Sequence, residues 1–126
     1  MADQLCSLLG AVLLLPLGLV LGSFLELVVD RVPRGESIVA PPSRCRACGR
    51  RLTPGELVPL VSFVIQHGRC RGCDSPIGGG VPLREALSGL GLALPWAVLG
   101  CAHPGVALIL GGLLLGAVSA VRFLLA

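Results

Sequence analysis

The sequence has no lysine and no tyrosine, few aromatic side chains (3%) and few charged ones (13%). Without tyrosine, and with only Phe24, Phe63, Phe123 and Trp96 as aromatics, there is no stacking platform for single-stranded nucleic acid, and no nucleic-acid partner is expected. Thirteen per cent charge is too little to solvate the surface of a soluble domain of this size. Residues 1–4 carry Asp3 and no cation, so the positively charged start of a secretory signal is missing. Aspartate is scarce too: Asp3, Asp30 and Asp74 are all there is. What is present is apolar, 54% of the 126 residues with a mean hydropathy of +0.89, which points to a small all-α integral membrane protein.

Three stretches are apolar enough to be helices in a bilayer. Residues 5–29 make a 25-residue run, about 37 Å as a helix against the roughly 30 Å of a hydrocarbon core. Pro16 is tolerable inside it, and Gly18-x-x-x-Gly22 offers a flat face for close helix packing. Residues 86–121 hold no fixed charge but are too many for one span. Pro95 and the His103-Pro104-Gly105 break divide them into helices expected over residues 83–102 and 105–125. Trp96 falls near the far end of the second helix, where indole suits a membrane interface. Gly112-x-x-x-Gly116 repeats the small-residue pattern in the third, so two glycine faces are available to receive partner helices. Cys6 and Cys101 read as small apolar packing residues. Glu26 sits about 7 Å of helix rise inside Arg31 and has two readings: a functional intramembrane carboxylate, or an interfacial one paired with a loop arginine.

Residues 30–82 form a loop carrying Cys45-Arg-Ala-Cys48 and, 21 residues on, Cys70-Arg-Gly-Cys73. Two such knuckles can bring four thiolates to the corners of a tetrahedron, the geometry a structural zinc prefers. Arg44, Arg46, Arg50, Arg51, Arg69 and Arg71 flank them, and nearby cations favour the thiolates that a metal needs. Two disulfides are the alternative. His67 is close enough in sequence to replace a cysteine but reads as a loop residue. Residues 57–65 are too short to span a membrane, and Gly78-Gly79-Gly80 reads as a hinge. Nine of the ten arginines lie between Arg31 and Arg84, whereas the turn at residues 102–105 has none. The positive-inside rule therefore places the loop in the cytoplasm, with the N-terminus outside and the C-terminus inside. Cytoplasmic thiols stay reduced, which favours zinc at Cys45, Cys48, Cys70 and Cys73.

Taken in order, Gly22-Ser-Phe-Leu25, Arg31-Val-Pro33, Pro41-Pro-Ser-Arg-Cys45, Pro59-Leu-Val-Ser62, Gly68-Arg-Cys70, Pro76-Ile77 and Pro82-Leu-Arg-Glu85 resemble the N-terminal domain of the type IV prepilin peptidases. The resemblance implies bifunctional membrane enzymes that cleave prepilin or pseudopilin leaders and then methylate the new N-terminus with S-adenosylmethionine, the cysteine loop being tied to the methylating half. That family cleaves with two intramembrane aspartates, one in a Gly-x-Gly-Asp motif, because paired carboxylates can activate water. None of the three aspartates here lies in such a motif. Asp30 and Asp74 as a self-sufficient protease pair is therefore the weakest reading. Glu26 stands where the family pattern has asparagine, and Gly80-Val81 where it has Arg-Tyr. The expectation is a zinc-loop half working with a separate aspartate-bearing subunit. A lone methyltransferase is disfavoured for want of a glycine-rich cofactor loop, and the alternative is a non-catalytic membrane zinc-ribbon adaptor. The catalytic residues, and any that bind the methyl donor, are left unassigned.

Overall fold

The computed structural model describes residues 1–124, in which three long helices form an antiparallel stack with an irregular loop at one end. The first helix, α1, runs Ala2–Arg31 and passes through Pro16. A short helix, α2 (Val61–Ile65), lies in the loop. α3 (Gly80–Leu99) and α4 (Pro104–Leu124) complete the stack. α3 begins three residues before the start expected at residue 83. Pro82 sits in its first turn, where a missing N–H costs no intrahelical bond. The helix also continues through Pro95 and ends only at Gly100. Leu125, the expected last residue of the third helix, lies outside the described residues.

Helix contacts are built from small residues. A Cβ on Gly18 would sit 2.7 Å from the Ser88 carbonyl oxygen and 2.8 Å from Gly89 Cα; one on Gly22 would sit 2.4 Å from Ser88 Cβ. Gly89 in turn lies against Leu19, and Gly111 of α4 against Leu92 and Gly91 of α3. The backbones can approach this closely only because these positions lack side chains. Ser88 is accordingly almost fully buried, 1% exposed. The Gly18–Gly22 face is thus filled within the chain by α3, not free for a partner as its sequence suggested. The Gly112–Gly116 face is open: among the described residues nothing lies within 4 Å of a Cβ at either position.

Around this narrow seam the large apolar side chains point outward: Leu5, Leu9, Val12, Leu13, Leu94, Val98, Ile109 and Leu113 are all exposed. That inversion of the soluble pattern is the one a hydrocarbon solvent allows. Two stretches, Ala2–Arg34 and Pro104–Leu124, are long and apolar enough to cross a membrane. At the end away from the loop, Cys6 of α1 and Cys101 just beyond α3 form a disulfide, with Cα atoms 6.3 Å apart. Their reading as mere packing residues is corrected by the antiparallel register, which brings positions 95 residues apart face to face. Trp96 packs over Gly10 in the same seam, so its indole is turned toward α1 as well as lying near the helix end.

Candidate metal centre and the cleft beside it

The two knuckles are one local structure built twice, 25 positions apart. In the first, the Cys45 N–H donates to the Arg50 carbonyl (2.8 Å) and Gly49 N–H to the Cys45 carbonyl (2.9 Å). In the second, Cys70 N–H donates to the Ser75 carbonyl and Asp74 N–H to the Cys70 carbonyl, both at 2.9 Å. The fourth residue after each leading cysteine is left-handed, Gly49 at φ +70° and Asp74 at φ +57°, the turn that folds the second cysteine back toward the first. The arginine before each knuckle, Arg44 or Arg69, reaches the carbonyl of that left-handed residue. The repeat is visible in the sequence as Arg-Cys-Arg-x-Cys at residues 44–48 and 69–73, a signal that two separate Cys-x-x-Cys readings overlook.

The fold brings the four expected cysteines together: the Sγ atoms of Cys45, Cys48, Cys70 and Cys73 all lie within 4.8 Å of one another. Four Zn–S bonds of 2.3 Å set tetrahedral sulfurs about 3.8 Å apart, and Cys45 Sγ and Cys73 Sγ are 3.8 Å apart. The four thiols are free, so the two-disulfide alternative is not what the structure forms. This cluster could hold a metal ion, and an all-sulfur closed set is the donor chemistry of structural zinc rather than of an open catalytic site. Exposed His67 is not part of it.

Backbone amides supply the electrostatics. The N–H groups of Gly72 and Cys73 hold the Cys70 thiol down to about 6, and those of Cys48 and Ala47 lower Cys45. Cys73 goes the other way: the Ser75 amide pulls it down, but burial and the crowding thiols of Cys48, Cys70 and Cys45 outweigh it and push it up to about 12. Cys70 and Cys73 are thus pushed in opposite directions, and a bound cation would favour the thiolate form of a ligating sulfur.

Beside the knuckles, Glu56 is buried and grips Arg50 with both oxygens, at 2.6 and 3.2 Å, while capping its own turn through the Thr53 N–H. The Arg50 guanidinium and the Thr53 amide hold its carboxyl down to about 2. Arg50 also lies over Gly72, 2.8 Å from where a Cβ would stand, so this pair ties the turn at Pro54–Leu57 to the second knuckle. Sequence reading had Arg50 only as a cation flanking the knuckles and missed Glu56, although Thr53-x-x-Glu56 is a capping-box pattern.

The loop sits on the helix ends through further polar contacts. Glu85 of α3, also buried, accepts the Leu60 N–H at 2.9 Å, and Leu60 is left-handed (φ +57°) to present it. Glu26 pairs with Arg84 of α3 and lies 3.7 Å from Arg122 of α4, so its cations come from neighbouring helices rather than from the loop. Asp30 pairs with Arg34 and Arg46 and lies 3.6 Å from Arg122. Between loop and bundle these contacts leave a cleft of about 780 Å³, its walls including Ser23, Arg44, Phe63, Gln66, Val81 and Glu85.

The family profile described as the bacterial peptidase A24 N-terminal domain matches residues 16–99. The chain belongs to this family. Two of its relatives are prepilin leader peptidase/N-methyltransferases of Myxococcus xanthus (strain DK1622), 51% identical over 82 residues, and of Bacillus subtilis (strain 168), 44% identical over 71. These matches cover 65% and 56% of this chain but 24% and 29% of the relatives. A third, from Klebsiella pneumoniae, is 35% identical over 120 residues, 90% of this chain and 50% of that one. The chain therefore spans about a quarter to a half of the length of these curated relatives. No solved structure matches it. The A24 N-terminal match takes in α1 from Pro16, the whole cysteine loop and α3, which are the parts that build the sulfur cluster and the cleft.

Proposed function

We propose that this chain is the zinc-loop, methylation-associated half of a prepilin peptidase, processing prepilins or pseudopilins together with a separate aspartate-bearing membrane subunit. The observation that carries the reading is the four-sulfur cluster mounted on the helix ends within the A24 N-terminal match. Zinc at Cys45, Cys48, Cys70 and Cys73 would cross-link the two knuckles and hold the loop against the bundle. S-adenosylmethionine is the methyl donor this role calls for. Cleavage needs two aspartates that share a proton. Here Asp30 and Asp74 are engaged by arginines, and Asp3 lies at the opposite end of α1. The open Gly112–Gly116 face of α4 is where a further helix can pack.

In this reading α1, α3 and α4 all cross an inner membrane, α3 because it runs antiparallel beside α1 from Arg84 against Glu26 to Cys101 against Cys6. The arginine-rich loop is cytoplasmic and the Cys6–Cys101 end is outside, where an oxidising compartment supports a disulfide. Purification from native membranes in mild detergent, with metal analysis and mass spectrometry, tests the proposal. One zinc per chain and an aspartate-bearing membrane partner are expected. A zinc-loaded chain that binds no such partner would overturn it.

A non-catalytic adaptor is the second reading, favoured by Glu26. Where the family pattern has asparagine, this glutamate holds Arg84 and Arg122 in a structural ion-pair cluster. Methylation in a reconstituted assay that rises on Glu26→Asn would count against the adaptor.

A further inference from the structure

The short helix of the loop, α2, has two faces. Ser62, Phe63 and Gln66 line the cleft toward the bundle. Val61, Val64 and Ile65, at helical spacing on the other side, are 52%, 68% and 60% exposed. One hydrogen bond fixes the depth at which this second face lies. Leu60, just before α2, donates its N–H to Glu85 in the second turn of α3, and Glu85 Cα lies 3.7 Å from where a Cβ on Gly22 of α1 would stand. Gly22 is about 13.5 Å of helix rise before the end of α1 at Arg31, inside its apolar run. The start of α2 is therefore tied alongside the long helices rather than beyond their ends. Leu83 and Leu87, which flank Glu85 on α3, and Phe24 of α1 are exposed as well.

We propose that Val61, Val64 and Ile65 are a membrane anchor, a face that α2 sinks into the anionic phospholipid leaflet on the loop side of the bilayer that α1 and α3 cross. The bilayer part of the assignment rests on the spanning reading above; the anchor part rests on the exposed face and its depth. The face continues the lipid-facing surface of the long helices instead of starting a separate patch. An amphipathic helix lying in the interface buries its apolar side about 5–10 Å into the boundary between headgroups and acyl chains, a depth that the 13.5 Å between Gly22 and Arg31 accommodates. Backbone entering that boundary has to satisfy its own polar groups. Here Leu60 N–H goes to Glu85, Ser62 N–H to the Val58 carbonyl, Val64 N–H to Leu60, Gln66 N–H to Ser62 and Gly68 N–H to Phe63, at 2.9 to 3.1 Å. Glu85 thus serves an amide that would otherwise need water. The charges fit the same occupant. No acidic residue occurs from Leu57 to Cys73, and α2 is followed by His67, Arg69 and Arg71, all exposed. Arg69 pairs with exposed Asp74, and Arg71 has no acidic partner among the described residues. An apolar face followed by cations matches a leaflet with a hydrocarbon interior and a negative surface.

The test uses the full chain in vesicles of equal parts phosphatidylcholine and phosphatidylglycerol, with Trp96→Phe as the background and Val64→Trp as the single reporter. Lipids brominated near the headgroup end of the acyl chain quench an indole in the leaflet, and acrylamide quenches one in water. Val64→Trp should emit at short wavelength, lose most of its emission to the brominated lipid and lose little to acrylamide. Ala47→Trp, on an exposed residue between the first two knuckle cysteines, should do the reverse, which shows that an indole does not insert by itself. Protection of the four loop cysteines from alkylation confirms that each variant keeps its fold, and Ile65→Trp replaces Val64→Trp as reporter if that one loses it. Quenching by acrylamide and not by bromine would put the face in water and overturn the proposal. Protection from both quenchers would overturn it too, since a second copy of the chain would then cover the face. Val12→Trp, exposed on the apolar part of α1, tests the spanning reading separately with lipids brominated deep in the chain. If Val12→Trp is quenched and Val64→Trp is not, α1 stays in the membrane and the anchor falls. If only Val64→Trp is quenched, the anchor stands and the span falls.

Discussion

Replacing Gly18 with alanine tests whether the α1–α3 seam is as tight as the geometry makes it. The added Cβ would stand 2.7 Å from the Ser88 carbonyl oxygen and 2.8 Å from Gly89 Cα, with Leu92 Cβ at 3.1 Å. Two of these three neighbours are backbone, so no rotamer change relieves them. Nonbonded carbons settle at about 3.5–4.0 Å, so the helices must part by roughly 1 Å. Overpacking on this scale costs about 1–3 kcal/mol. Gly112→Ala is the matched control: nothing lies within 4 Å there, and alanine's better helix propensity, worth up to about 1 kcal/mol, leaves that variant neutral or slightly more stable. Trp96 is the only tryptophan and packs over Gly10 in the same seam, so its fluorescence reports the contact directly. Unfolding in mild detergent should show Gly18→Ala weakened and its emission shifted before any denaturant is added. If Gly18→Ala proves as stable as Gly112→Ala with unchanged emission, the close-packed seam is wrong.

Three further outcomes are expected. Cys48→Ser removes one corner of the sulfur cluster; since a structural zinc contributes on the order of 10 kcal/mol to a small ribbon, the loop should lose metal and become protease-sensitive while Trp96 emission stays put. Unchanged protease resistance would argue that the loop folds without metal. Glu56 has a folded pKa of about 2 against an ordinary 4.5, so its contribution is complete above pH 4.5 and is lost as pH falls toward 2. The gap in denaturant midpoint between wild type and Glu56→Gln should thus be constant from pH 7 to 5 and shrink below 4.5; an equal gap at pH 3 would contradict the Arg50 pairing. Finally, after metal removal and denaturation without reductant, a maleimide should label four of the six cysteines, and all six once reductant is added. Six labelled at the first step would mean that Cys6 and Cys101 are not bridged.

How much could be read beforehand depended on whether a feature is local. The cysteine cluster was legible because Cys-x-x-Cys is a local geometry and a second copy needs only a loop to bring it back. The helix seam was legible in part: Gly18-x-x-x-Gly22 announced close packing, but not that the chain's own Ser88 and Gly89 would fill it. Glu85 read as a carboxylate suited to a helix N-terminus. Its role in holding Leu60 depends on how a loop 25 residues earlier folds back, which no local pattern encodes. Arg84 and Arg122 became the partners of Glu26 through helix register alone.

The six cysteines carry the argument one step further. Cys6 and Cys101 each read as small apolar residues, and only the antiparallel register of α1 and α3 makes them a pair. That register also fixes where the pair lies: at the end of the bundle away from Cys45, Cys48, Cys70 and Cys73, with the length of α1 between them. A four-thiolate metal site persists where thiols stay reduced, and a disulfide where they do not. From Cys6 to the end of α1 at Arg31 is a rise of about 38 Å. In the proposed orientation, one membrane crossed by α1 would supply both environments, with the arginine-rich thiol side in the cytoplasm. The proposed orientation accommodates both the charge distribution and the cysteine chemistry.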